Sequence, residues 1–252
     1  MRDCRLAVGW VLVAVACGQP GAPTLEEIVA RHAEARGGTA EIERIESLEV
    51  GLRISEPTFD VEARYRATRD GRMRIDVFAD SVRVFTEAHD SVSGWQLGAG
   101  EESEPVEMSP AGEEAVKRGV LANLFGLHEW QAQGYALTLR GREEIDDTGY
   151  WVIDAVAPDG FAQRLYLDEE TYLIARKRDR SALHPDVDPE EEAFETIFGD
   201  FRAVDGVVFS FAEQKQDLRT GEVAQSVVVK ELIVNPDIDP SIFTPPGPVS
   251  SQ

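Results

Sequence analysis

The sequence of 252 residues holds 47 acidic and 25 basic side chains, which gives a formal net charge of −22. This charge excludes nucleic acid as a partner and a polybasic contact with anionic lipid, because both need a positively charged surface. The length suffices for one domain with its own hydrophobic core. Any association with a membrane must therefore come from an anchor and not from surface charge.

The N-terminal segment has the pattern of an export signal. Residues 6–16 form an uninterrupted apolar run, about the length of a signal-peptide core and short of the ~20 residues that span a bilayer. The small residues Ala14 and Ala16 lie just before Cys17. This arrangement resembles the bacterial lipobox and implies cleavage after residue 16 and lipid attachment at Cys17. The alternatives are a secretory signal with a chance cysteine and a buried N-terminal helix.

The cysteine content agrees with an exported chain that has no internal disulfide. The chain has two cysteines, Cys4 and Cys17, and removal of the signal peptide 1–16 would leave only the second. Residues 17–23 predict a flexible tether. Gly18 follows the cysteine where Asp would signal inner-membrane retention under the common proteobacterial rule, so the pattern favours the outer membrane.

Two amphipathic helices are predicted. Thr24 and Glu27 have the spacing of a capping box, which starts the first helix, and His32 on its apolar face is expected to be a core-edge histidine. Ser109 and Pro110 start the second, which is predicted to continue to about residue 130. Its apolar residues recur at helical spacing.

Alternation of apolar and charged residues predicts antiparallel strands over most of the remaining chain. It is clearest in residues 48–54, 59–67 and 72–77, weaker in 82–88 and 93–98, and clear again in 135–145, 150–157, 161–168, 172–180 and 192–235. We find no repeat of fixed period and no linker after residue 24, so residues 24–245 are expected to form one domain and 246–252 a frayed tail. The sequence thus predicts a mainly β fold with two amphipathic helices, built on a single curled antiparallel sheet of about eleven strands.

Several segments resemble the LolA/LolB-like family of lipoprotein-carrier folds, the outer-membrane lipoprotein-sorting proteins. They are EIVARHAEARGG near the start and YLDEETYLIARKRD, HPDVDP, ETIFGDFRAVDGVVFSF, DLRTGEV and NPDIDPSIF in the C-terminal half. The resemblance implies an unclosed barrel with a helical lid, whose apolar hollow shelters acyl chains in the periplasm. A lipid on Cys17 would make the chain more similar to the membrane-tethered members than to the soluble carriers.

The resemblance and the alternation together nominate an apolar lining for the hollow. A packed core without a cavity is the alternative interpretation of the same residues. The candidates are Leu48, Val50, Leu52, Ile54, Met73, Ile75, Val77, Trp95, Leu97, Leu137, Leu139, Trp151, Ile153, Leu165, Leu167, Phe209 and Phe211.

No motif for catalysis, a cofactor or a metal is found. The acidic loop at residues 184–192 lacks the spacing of a calcium loop, and its prolines indicate a stiff, solvated segment. We therefore expect no cofactor, no metal and no enzymatic activity. The hypothesis is a membrane-anchored periplasmic protein that binds acyl chains of lipids or lipoproteins and takes part in lipoprotein sorting. The alternative is an envelope sensor or structural protein that binds a protein partner; a secreted hydrolase is a weaker one.

Overall fold

The computed structural model describes residues 21–100 and 103–247, which leaves Cys17, the signal segment and most of the C-terminal tail outside the described residues. This part of the chain forms three α-helices and thirteen strands. The helices are α1 (Leu25–Ala35), α2 (Thr39–Glu43) and α3 (Pro110–Leu124). The strands are β1 (Ser47–Glu56), β2 (Phe59–Thr68), β3 (Arg72–Ala79), β4 (Val82–Asp90), β5 (Gly94–Leu97), β6 (Val106–Glu107), β7 (Ala136–Ile145), β8 (Thr148–Val156), β9 (Ala162–Asp168), β10 (Ile174–Ser181), β11 (Glu192–Val204), β12 (Val207–Asp217) and β13 (Val223–Val234). Short 3₁₀ turns lie at Leu127–Glu129 and Pro240–Phe243.

Both predicted helix starts are confirmed. The Thr24 hydroxyl accepts a hydrogen bond from the Glu27 amide at 3.2 Å, and the Glu27 carboxylate accepts one from the Thr24 amide at 2.8 Å, which completes a capping box. At α3 the Ser109 hydroxyl accepts from the Gly112 amide at 3.1 Å, and Pro110 fills the first helical position, where no amide hydrogen is needed.

The predicted end of the second helix is wrong. Helix α3 stops at Leu124 because Phe125 is extended, with φ −107° and ψ 147°, and the apolar residues beyond it lie in a separate 3₁₀ turn. The five-residue helix α2 was not predicted, since its length of little more than one turn gives no periodic pattern.

All thirteen strands of the described chain belong to one antiparallel sheet, with the order β6-β5-β4-β3-β2-β1-β13-β12-β11-β10-β9-β8-β7. The first and last strands pair with each other, so the sheet is open between β6 and β7, the two strands that flank α3 in the sequence. A single, unclosed antiparallel sheet is therefore confirmed. The strands number thirteen and not about eleven, partly because two-residue β6 is too short to show alternation.

The face of the sheet that α1 and α3 cover is called the inner face here. Residues directly opposite each other in antiparallel strands point to the same side, which allows this face to be followed across the sheet. On one half, α3 packs on β2 and β3, and residues of β1 and β12 belong to the same core cluster; on the other half, residues of α1, α3, β8 and β9 form a second cluster. Burial of each large apolar side chain stabilises this packing by roughly 1.5–3 kcal/mol. The buried helix residues are Ile28, Ala33, Val116, Val120, Leu121 and Leu124.

The opposite, outer face carries its own buried groups. Tyr150 and Tyr166 are buried there, and the guanidinium groups of Arg176 and Arg178 lie over their rings at 5.7 and 4.9 Å. Both guanidinium groups also pair with the buried carboxylate of Glu195, at 3.1 and 2.8 Å. Burial on both faces explains why apolar alternation alone does not reveal which face is inner. Over residues 21–100 and 103–247, no helix has the length and apolar character to span a membrane.

Candidate functional site

Close to the helices the inner face is a packed core. Eight of the predicted lining residues are buried there, and Leu48 and Ile153 are no more than 2% exposed. Close to the helices, the interior is therefore a packed core, which is the alternative interpretation given above for these residues. The eight are Leu48, Val50, Met73, Ile153, Leu165, Leu167, Phe209 and Phe211.

Five more predicted residues lie on the inner face at the margins of this core and are only partly buried. Leu52 and Ile75 border the cluster on β1 and β3, whereas Leu137, Leu139 and Trp151 border the cluster on β7 and β8. Their side chains contact the packed core and keep part of their surface exposed to solvent.

Beyond the core, the inner face carries apolar side chains that are only partly buried. Ile54 and Val77 lie outside both core clusters and are partly exposed. Val227 pairs with Ile54 and faces the same side. Together with Leu52 and Ile75, these residues form the surface that we call the open inner face. It is the part of the predicted lining that a ligand could contact without displacing the core.

Two predicted lining residues lie on the wrong face. Leu97 pairs with Thr86, and Thr86 pairs with Asp76, which points away from the inner face. Trp95, two residues before Leu97, is buried on this outer side, where its indole NH donates a hydrogen bond to the Phe243 carbonyl at 2.8 Å. The C-terminal segment returns across the outer face and covers Trp95, so these two residues are removed from the lining.

The sequence analysis missed a polar zone at the far end of the inner face. The inward alternation on β12 continues past Phe211 to Glu213 and Lys215. Glu213 pairs with Val227, and Lys215 pairs with Gln225 on one side and Thr196 on the other. Extending the period-two pattern past the last aromatic residue would have found both side chains. The zone also includes the inner-face residues Glu56, Lys177 and Asp179.

Lys215 makes no direct ion pair with the described residues of this zone, although Asp179, Glu213 and Glu56 lie near enough to oppose the effect of burial on its pKa. Burial lowers the pKa of Lys215 to about 8, although the nearby carboxylate of Asp179 opposes the shift. Its ammonium group lies 3.4 Å from the Ser181 hydroxyl and 4.4 Å from the ring centroid of Phe194. Within the described residues, no carboxylate oxygen lies within 4 Å of it. Burial also raises the pKa of Glu213 and so favours its neutral form, although the nearby Lys177 and Lys215 oppose this shift.

The acidic loop is exposed at His184 and over residues 187–191, as predicted, and it also contacts distant strands of the sheet; we call residues 182–191 the strap. His184 contacts the Glu56 carboxylate at 3.0 Å, at the far end of β1. The Asp186 carboxylate accepts hydrogen bonds from the Ser109 amide at 2.6 Å and the Gln96 amide at 3.1 Å. The strap thus ties β10 and β11 to β1, β5 and the start of α3. Over residues 21–100 and 103–247, no three His, Cys, Asp or Glu side chains converge as metal ligands would.

A surface pocket of about 370 Å³ lies beside α3, between the turn after β2 and the turn after β8. Its floor is apolar, with Leu121, Phe125 and Tyr135 among its residues. The guanidinium of Arg118 at its rim pairs with the Asp159 carboxylate at 2.6 Å. Because this basic group is already compensated, the pocket gives less indication of a ligand than the open inner face.

No family model matches the sequence, and no curated protein matches it either. Several solved structures share the fold. A LolA superfamily protein from Nitrosomonas europaea has a TM-score of 0.58 and 17% identity, covering 88% of this chain and 98% of that one. A putative outer membrane lipoprotein-sorting protein domain from Vibrio parahaemolyticus has a TM-score of 0.57 and 10% identity, with coverage of 86% and 94%. A DUF1329 family protein from Desulfovibrio piger has a TM-score of 0.56 and 12% identity, with coverage of 87% and 96%. The chain has a LolA/LolB-like fold.

Proposed function

We propose that this protein is a non-enzymatic binding protein of the bacterial periplasm that holds acyl chains of lipids or lipoproteins on its open inner face. The observation that carries the proposal is a partly exposed apolar surface beside the packed core of a LolA/LolB-like fold. Each methylene removed from water contributes roughly 0.8 kcal/mol, so such a surface can hold an acyl chain reversibly. The name of the Vibrio structure supports a role in outer-membrane lipoprotein sorting or localisation.

The proposal includes an anchor at Cys17, which lies outside the described residues. The lipobox-like sequence before it supports lipid attachment, and the net charge of −22 makes an acyl anchor more effective than surface charge at a membrane. Gly18 favours the outer membrane. With a lipid anchor the protein would receive or hold cargo at a membrane surface. A soluble carrier, in contrast, carries its cargo across the periplasm.

The test is native mass spectrometry of the protein purified from membranes, together with titration by the neutral dye Nile red. Co-purified phospholipid or lipopeptide is the expected result. Leu52→Lys places an ammonium group on the open inner face and should weaken dye binding by roughly tenfold or more, because the charge must be desolvated under the ligand. Val228→Lys is the matched control, since Val228 pairs with Arg53 on the outer face of the same strand pair.

The two variants separate a binding defect from a folding defect. Circular dichroism and thermal unfolding should show that both remain folded, with dye binding lost only in Leu52→Lys. A protein that is consistently empty and does not take up the dye would contradict the proposal and favour the alternative, an envelope protein that binds a protein partner.

A further inference from the structure

The inner face changes from apolar to polar in the same direction on three neighbouring strands. From Phe211 to Lys215 the chain advances about 13 Å at strand geometry, from an aromatic core residue to a cation. An amphiphile has the same profile, with an apolar chain followed by a polar head. In matching order the side chains are Leu52, Ile54 and Glu56 on β1, Val229, Val227 and Gln225 on β13, and Phe211, Glu213 and Lys215 on β12.

Two of the three carboxylates near Lys215 are engaged with other partners, and burial of the third, Glu213, favours its neutral form. Asp179 pairs with Lys177 at 3.6 Å and accepts a hydrogen bond from Ser181 at 2.7 Å. Glu56 contacts His184 at 3.0 Å and accepts a hydrogen bond from Gln225 at 2.8 Å. Lys215 therefore remains a cation on the inner face whose charge no neighbouring carboxylate contacts directly.

We propose that Lys215 binds the acidic head group, carboxylate or phosphate, of an amphiphile whose acyl chain lies on the open inner face. The inference rests on the proposed function and adds the class of ligand to it. The Ser181 hydroxyl accepts a hydrogen bond from the ammonium group at 3.4 Å and donates its one hydrogen to Asp179, so Lys215 itself is the donor that the head group contacts. An anion at this position forms the direct ion pair that the nearby carboxylates of Asp179, Glu213 and Glu56 do not make.

The experiment compares three probes of equal chain length: laurate, dodecyl phosphate and the uncharged dodecanol. Affinity is measured by displacement of Nile red from the full chain. An acidic probe should bind at least about tenfold more tightly than dodecanol, and Lys215→Met should remove that preference while leaving dodecanol binding unchanged. Lys230→Met is the matched control, since Lys230 is an exposed lysine on β13, and it should change none of the three affinities. The acidic probe with the larger loss identifies the head group.

A second measurement reports the proton on Lys215. An anion raises the pKa of the ammonium from about 8, so binding of laurate at pH 8.5 should take up protons in the wild type. Calorimetry in two buffers of different ionisation enthalpy detects this uptake, and Lys215→Met should abolish it.

The experiment distinguishes a failure of the inference about Lys215 from a failure of the proposed function. Equal affinity of dodecanol and both acidic probes, or an acidic preference that survives in Lys215→Met, overturns the role of Lys215 and leaves acyl binding intact. Binding of none of the three probes overturns both. Thermal unfolding of Lys215→Met tests its fold, and since the variant replaces a desolvated charge by a side chain of similar length, it should be no less stable than the wild type.

Discussion

His32 shows how one side chain makes the stability of this protein depend on pH. The residue is 2% exposed, and its Nδ1 lies 2.8 Å from the Tyr172 carbonyl, to which it donates a hydrogen bond. Burial, helped by the positive charge of Arg36, lowers its pKa to about 4. The sequence predicts a histidine at the edge of the core, and the structure buries it inside the core. Between pH 4 and 6.5 the unfolded chain therefore binds a proton that the folded chain excludes, so stability falls as the pH falls through this window.

Replacing His32 should flatten this pH dependence. In His32→Asn the amide can still donate to Tyr172, but the titrating group is gone. From pH 7.5 to pH 5 the histidine of the wild type should lower the free energy of unfolding by about 2 kcal/mol, a loss that the variant lacks. Urea unfolding of the wild type and the variant at pH 7.5 and pH 5 measures the change in the free energy of unfolding of each protein. Parallel pH profiles for wild type and variant would show that His32 takes up its proton equally in the folded and the unfolded chain.

The strap can pack closely against α3 because residue 112 is a glycine. A Cβ at position 112 would overlap the carboxylate of Asp186, which both the Ser109 amide and Gln96 hold in place. Gly119, further along the same helix, has open space at the corresponding position. The first glycine therefore allows the strap to approach the helix, and the second has no such role.

Two glycine-to-alanine variants of α3 should have opposite effects. Gly119→Ala should stabilise the protein by roughly 0.5–1 kcal/mol, because alanine loses less backbone entropy in a helix. Gly112→Ala should lose stability and speed hydrogen exchange in residues 182–191, because the added methyl group pushes Asp186 out of its hydrogen bonds. Hydrogen-exchange mass spectrometry with thermal unfolding checks both. Unchanged exchange in the strap of Gly112→Ala would mean that Asp186 does not hold it.

At this scale, some elements could be predicted from the sequence and others could not. The capping residues and long alternating strands were predictable because their signals are local. Trp95 was placed on the wrong face because the segment that buries it, around Phe243, is 148 residues away in the sequence. Lys215 was missed for a different reason, since a search for apolar lining stops where the alternation turns polar. The strap contacts residues that are distant in the sequence, such as Glu56 and Ser109, and local sequence patterns do not predict such contacts.

For the whole molecule, the decisive prediction concerns Cys17. The net charge of −22 disfavours adsorption to anionic membranes, so attachment should depend on a lipid at this residue. Cys17→Ser should shift the exported protein from the membrane fraction to the soluble periplasmic fraction, with its fold unchanged. Cell fractionation measures where the protein is located, and mass spectrometry of the N-terminus shows whether a lipid is attached. Retention of the variant in the membrane fraction would exclude the lipobox interpretation.

The pairing of β1 with β13 sets the order in which this protein can fold. Leu48 has its partner in Val234, so strand β1, close to the N-terminal end of the domain, must wait until almost the entire chain has been delivered. Contacts of such long sequence separation slow folding, because a long loop must close before they form. A chain leaving a translocation channel N-terminus first would keep the partner edge of β1 unpaired throughout transit. In a chain that emerges N-terminus first, the sheet is therefore completed only after residue 234 has emerged, because β13 is the second partner of β1.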